Sequence, residues 1–114
     1  MMRKITLIAS ALVLCGPVVT ALAAEPELGE RVYQRWCVHC HSAGRGNPGT
    51  QSLQVKYGNK EPAVLLERTD LTPEFVALSL RQGVMSMPPF RKTEITDEEL
   101  AAVSKWVASG GGKR

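Results

Sequence analysis

Residues 37–41 read Cys37-Val38-His39-Cys40-His41, a Cys-x-x-Cys-His run. Two thiols at this spacing can each form a thioether with a haem vinyl group, and the histidine that follows lies beneath the iron as an axial ligand. The run therefore assigns Cys37 and Cys40 to the covalent attachment of one haem c, and His41 to the iron. A redox dithiol would need a βαβ setting, and a zinc site two further ligands. The sequence offers neither. The remaining cysteine is Cys15, in an apolar segment near the start, and the remaining histidine is His39, inside the motif.

Working outward toward the N-terminus, Met1-Met2-Arg3-Lys4 precedes an uncharged run from 5 to 24 that closes on Ala21-Leu22-Ala23. A basic start, an apolar stretch and a small-x-small exit make a secretory leader, with cleavage near Ala23 and Ala24. Residues 1–23 are then the leader and residues 24–114 one exported domain, which places the protein outside the cytoplasm. The run is long enough to span a bilayer, but Gly16 and Pro17 interrupt it. Loss of Cys15 with the leader leaves both remaining cysteines committed to haem and none for a disulfide. The formal charge of +3 also changes, because Arg3 and Lys4 leave and the rest is nearly balanced. With no basic run and six aromatics, nothing points to nucleic acid. About ninety residues suit one small domain, whose core a large apolar cofactor would complete.

The rest of the chain reads as helices and loops, without a convincing strand. Pro26, the acids around it and Leu28, Val32 and Trp36 at four-residue spacing predict a helix running into the motif. Gly29 weakens that helix and suggests a close approach by another. Residues 42–60 hold many glycines, Pro48 and two asparagines without a sustained period, which predicts a loop along one side of the haem. Pro62 is expected to open a short turn through Val64, Leu65 and Leu66. Thr72, Pro73 and Gly83 punctuate a helix whose Phe75, Val76, Leu78 and Leu80 are expected to face the core. Thr96 and Glu99 form a capping box for a last helix carrying Leu100, Val103, Trp106 and Val107, ended by Gly110-Gly111-Gly112.

Iron held by His41 needs a second axial ligand or an open position, and that choice separates an electron carrier from a haem enzyme or sensor. His39 is anchored on the His41 side and could not reach across the ring. The methionines beyond the leader are Met85 and Met87, in Gly83-Val84-Met85-Ser86-Met87-Pro88-Pro89-Phe90. Pro88 and Pro89 fix two φ angles directly after Met87, stiffening the segment that would hold a weak thioether on iron. Met87 is therefore the expected sixth ligand, and Met85 a flexible filler against haem or core.

The motif, the Met87-Pro88-Pro89-Phe90 loop and the final aromatic-bearing helix, in this order, resemble the class I c-type cytochromes over essentially the whole exported domain. The resemblance implies an all-α, cytochrome c-like small helical domain around one haem c. It also implies that the Pro48 carbonyl accepts from the His41 imidazole, and that Gly29 and Tyr33 cross against Val103 and Trp106. The function implied is single-electron transfer in the periplasm, without catalysis of its own. The segments 67–74 and 87–95 are further similar to the small cytochrome subunits of periplasmic flavocytochrome dehydrogenases such as 4-cresol dehydrogenase. That similarity implies an FAD flavoprotein dehydrogenase as donor and a downstream cytochrome or oxidase as acceptor. A generic cytochrome shuttling between respiratory complexes fits the same residues, as partner choice lies in surface complementarity. Arg91 and Lys92 are candidates for steering an acidic partner or pairing with a haem propionate, and Arg68 for a propionate.

Overall fold

The structure is a computed structural model that describes residues 25–114. The expected leader at 1–23 and its expected cleavage point lie outside the described residues.

Helix α1 spans Glu25–Trp36, with Glu25 and Glu27 in its first turn and Arg35 in its last, the arrangement a helix dipole favours. Its inner face buries Gly29, Val32 and Tyr33, and Leu28 and Trp36 pack at its edges. The chain continues through Cys37 into a single turn, α2, Val38–His41. Helix α3 follows at Pro48–Tyr57, then a 3₁₀ turn at Leu65–Glu67. Helix α4 is Pro73–Gln82, capped by Thr72, whose hydroxyl accepts from the Phe75 N–H at 3.2 Å. Helix α5 is Asp97–Ala108, and its Thr96–Glu99 capping box is fully formed. Among the described residues there is no strand, only one antiparallel bridge between Val84 and Met87. The architecture is an all-α small helical domain.

The core lies where α1 crosses α5, with α4 packed on the other side of α5. Val103, Val107 and Ile95 are almost completely enclosed there, each such side chain contributing about 1.5–3 kcal/mol relative to exposure. Gly29 is the point of closest approach. A Cβ at this position would lie 2.6 Å from both the Ala102 carbonyl oxygen and the Trp106 Cβ. One turn on, the Tyr33 and Trp106 rings meet with centroids 5.0 Å apart. The expected crossing is present, with Ala102 and Trp106 beneath the glycine; Val103 fills the core beside it.

Two expectations are corrected. Residues 42–60 contain helix α3 rather than loop throughout. Its inward stripe is Gly49, Thr50, Leu53 and Tyr57, a helical period that a search for strongly apolar residues passes over. On α4, only Val76 and Leu80 are buried, whereas Phe75 and Leu78 are 56% and 52% exposed. Val76 and Leu80 are one turn apart and meet α5; Phe75 and Leu78 lie on the opposite arc of the helix.

Candidate haem-binding site

The Cys37–His41 run folds as a continuation of α1. The Cys37 N–H donates to the Tyr33 carbonyl at 2.8 Å, and the Cys40 and His41 N–H groups donate to the Cys37 carbonyl at 3.1 and 3.0 Å. Cys37 is buried and Cys40 exposed, and both are free thiols. Burial, with Cys40 nearby as the smaller cause, pushes the Cys37 thiol up to about 12. The turn is closed by Ser42, whose hydroxyl donates to the Val38 carbonyl at 2.7 Å, and tied to α3 by Thr50, whose hydroxyl donates to the Ser42 carbonyl at 2.7 Å. Tyr33 reaches the same turn, its hydroxyl donating weakly to the His41 carbonyl at 3.4 Å. Burial in turn pushes the Tyr33 phenol up to about 12, with Cys37 the lesser cause.

Burial lowers the pKa of His41 below the ordinary histidine value, which favours the neutral imidazole that a metal requires. Its Nδ1 is enclosed without any hydrogen-bond partner. The bond expected from this nitrogen to the Pro48 carbonyl is therefore not made in this structure. Pro48 instead occupies the first turn of α3, where its missing N–H costs nothing. The neighbouring Gly49 lies against the imidazole. A Cβ there would sit 2.8 Å from His41 Cε1, 3.0 Å from Nδ1 and 2.7 Å from the Cys40 carbonyl oxygen. The ring is thus walled on its Nδ1 side by backbone, and Nε2 is the nitrogen left to serve as a ligand. These residues fit a covalently attached haem c: two free thiols on one helical turn, and a neutral, sterically fixed imidazole beside them.

Met87 sits in a tight turn. The Val84 N–H donates to the Met87 carbonyl at 3.1 Å and the Met87 N–H returns to the Val84 carbonyl at 2.9 Å. Gly83, at φ +75°, allows the turn to close, since a Cβ there would meet the Met87 carbonyl oxygen at 2.7 Å. Met87 is half-buried and packs against the core cluster. Met85, by contrast, is 92% exposed at φ +52°. It fills no gap against the core, one of the two surfaces expected to receive it.

The segment after Met87 is held by contacts that sequence reading passes over. The Phe90 N–H donates to the Leu80 carbonyl at 2.8 Å. The Arg81 guanidinium donates to the Phe90 and Ile95 carbonyls at 3.1 and 2.9 Å and to Asp97 at 2.9 Å. The Phe90 ring meets Trp36 edge-on, with centroids 5.6 Å apart. Trp36 directly precedes Cys37, so this pair joins the segment carrying the thiols and His41 to the segment carrying Met87. An arginine two positions before a helix-ending glycine gives no local hint of such a role.

The other cations singled out in the sequence make contacts within the chain. Arg91 pairs with Glu94 at 3.2 Å and Lys92 with Asp97 at 2.8 Å. Lys92 and then Arg81 hold the Asp97 carboxyl below the usual range. Arg68 is buried, grips Asp70 through two nitrogens and lies 4.5 Å from the centre of the Tyr57 ring. Among the described residues, no three His, Cys, Asp or Glu side chains gather as a metal-ligand set, and no helix is long and apolar enough to cross a membrane.

The family model described as cytochrome c oxidase, cbb3-type, subunit III matches residues 24–107. No curated protein and no solved structure matches the chain. The matched span takes in the Cys37–His41 turn, the Met87 turn and nearly all of α5. The chain belongs to this c-type cytochrome family.

Proposed function

We propose that the protein is a periplasmic single-electron carrier that holds one haem c through Cys37 and Cys40, with His41 and Met87 as the axial ligands. When bound, haem c supplies a ferric/ferrous one-electron couple, and a methionine opposite a histidine raises its potential. The chain's own part is to hold and orient. The α2 turn presents both thiols, Gly49 fixes the His41 ring, and Pro88 and Pro89 stiffen the exit from Met87. Coordination kept constant by two protein side chains limits reorganisation as an electron arrives or leaves. The proposal rests above all on the contact between Trp36 and Phe90, which brings the His41 and Met87 segments together across the site.

The family name supports exchange of electrons within an oxidase-terminated respiratory chain, either as a subunit or as a shuttle between complexes. It lends less support to the cytochrome subunit of a flavoprotein dehydrogenase. The Cys37–His41 turn would then receive electrons from an upstream respiratory donor rather than from an FAD partner.

Expression with its leader in a host able to attach haem c tests the site. The expected product is the chain cleaved near Ala23, heavier by one haem, with a redox titration that follows a one-electron curve; a mass without haem and two titratable thiols would reject it. Oxidation by a cbb3-type oxidase preparation, but no reduction by a phenol-oxidising flavoprotein, is the expected partner result. The opposite pattern would restore the dehydrogenase reading.

A further inference from the structure

The ion pairs of this protein are unevenly placed. They engage Arg68, Arg81, Arg91, Lys92 and Lys105, all from residue 68 onward. The segment from Arg31 to Lys60 carries five cations, Arg31, Arg35, Arg45, Lys56 and Lys60, and no Asp or Glu. Among the described residues, none of the five forms an ion pair. Residues 1–24 contain no carboxylate side chain either, so none can come from there.

This acid-free segment wraps the haem motif. Cys40 and His39 are exposed within it, and α3 packs on the α2 turn through Thr50. The outer side of α3 has no partner in the fold, with Gln51, Ser52, Val55 and Lys56 exposed and Val55 at 88%. Arg45 and Lys60 line one cleft of about 640 Å³ with Gln51 and Gln54 of α3, while Glu61 and Glu67 line it as well and mark where the basic region stops. Arg31 and Arg35 share a cleft with Glu27 and Glu30 on α1, which leaves Arg45, Lys56 and Lys60 as the centre of the positive surface.

We propose that the outer side of α3, with Lys56 next to Val55 on the helix and Arg45 and Lys60 in the adjoining cleft, is the docking surface for an acidic patch on a redox partner protein. The cations first expected to steer a partner, Arg91 and Lys92, are each engaged in an ion pair, with Glu94 and Asp97, and fall outside it. Unpaired exposed cations steer encounter and set register, a contribution that salt removes. A small apolar centre within a charged rim suits a weak, transient contact. The redox nature of the partner rests on the electron-carrier reading; the location and sign of the surface do not.

The test is binding, read without electron transfer. Reduced, ¹⁵N-labelled holoprotein is titrated by NMR with poly-L-glutamate, with and without about 0.5 M salt, and separately with phosphatidylglycerol vesicles. Amide shifts are expected to centre on residues 42–60 and to vanish in salt. The exposed triple variant R45E/K56E/K60E should weaken binding about tenfold or more, and R91E/K92E less than about twofold; the neutralising pair K56Q/K60Q serves if the triple variant does not fold. Shifts centred on Arg91 and Lys92, or equal losses in both variants, would overturn the surface. Tighter binding to the vesicles than to polyglutamate through the same residues would overturn the protein partner in favour of a membrane. Loss of His41 or Met87 ligation would refute the carrier reading and leave this result intact.

Discussion

Met85 and Met87 show how neighbouring residues of one type take opposite roles. Met87 turns inward, its backbone fixed by two hydrogen bonds to Val84, while Met85 occupies the first central position of the same turn at φ +52°. That conformation costs an L-residue about 1–2 kcal/mol, and Met85 gains no burial in return. Met85→Gly is therefore expected to stabilise the holoprotein, by less than about 1 kcal/mol because glycine also enlarges the unfolded ensemble. Denaturant unfolding would measure it; a loss of stability would show that the Met85 side chain makes a contact this structure lacks. Which methionine the prolines stiffen was legible in the sequence. The unpaired Nδ1 of His41 and the Gly49 wall were not, because they depend on how α3 returns against the motif.

At the scale of elements, the crossing of α1 and α5 sets the spacing of everything around the site. Gly29→Ala would gain up to about 1 kcal/mol in helix propensity, yet its Cβ would press on backbone at Ala102 and on the Trp106 Cβ, both at 2.6 Å. Overpacking of this kind costs about 1–3 kcal/mol. Thermal unfolding is expected to show net destabilisation, and a rise in melting temperature would mean the helices stand further apart. Helices α1, α4 and α5 were legible because caps, prolines and apolar periods agree at each. Helix α3 was not, although Pro48 and Gly58 bracket it, because its inward residues are Gly49, Thr50, Leu53 and Tyr57 and none is strongly buried except Thr50. The outward Phe75 and Leu78 have the same cause in reverse: apolar character marks a face only when the period is matched to a neighbouring element.

Across the whole molecule, a polar network joins the middle of the chain to its last residues. Arg68 grips Asp70, faces the Tyr57 ring and accepts at its carbonyl from the Arg114 guanidinium. The Arg68 hydrogen bonds hold the Asp70 carboxyl below its usual range. A depressed carboxylate stabilises the fold above its unfolded value of about 3.9 and loses that contribution as pH falls through the folded value. Asp70→Asn should therefore be less stable than the parent at neutral pH, by about 1 kcal/mol since Asp70 is half-exposed, with the two converging under acid. Parallel stability curves from pH 7 to pH 2 would contradict this. Charge balance over the domain was legible from composition alone, and the acid-free stretch 31–60 from the sequence; which cations are paired needed the structure.

The central proposal is that His41 and Met87 would both hold the iron of haem c, and ligand-sensitive absorption of the ferric holoprotein tests it most directly. The account predicts a weak far-red charge-transfer band from methionine sulfur that disappears in Met87→Ala and persists in Met85→Ala. Persistence in Met87→Ala with loss in Met85→Ala would contradict it.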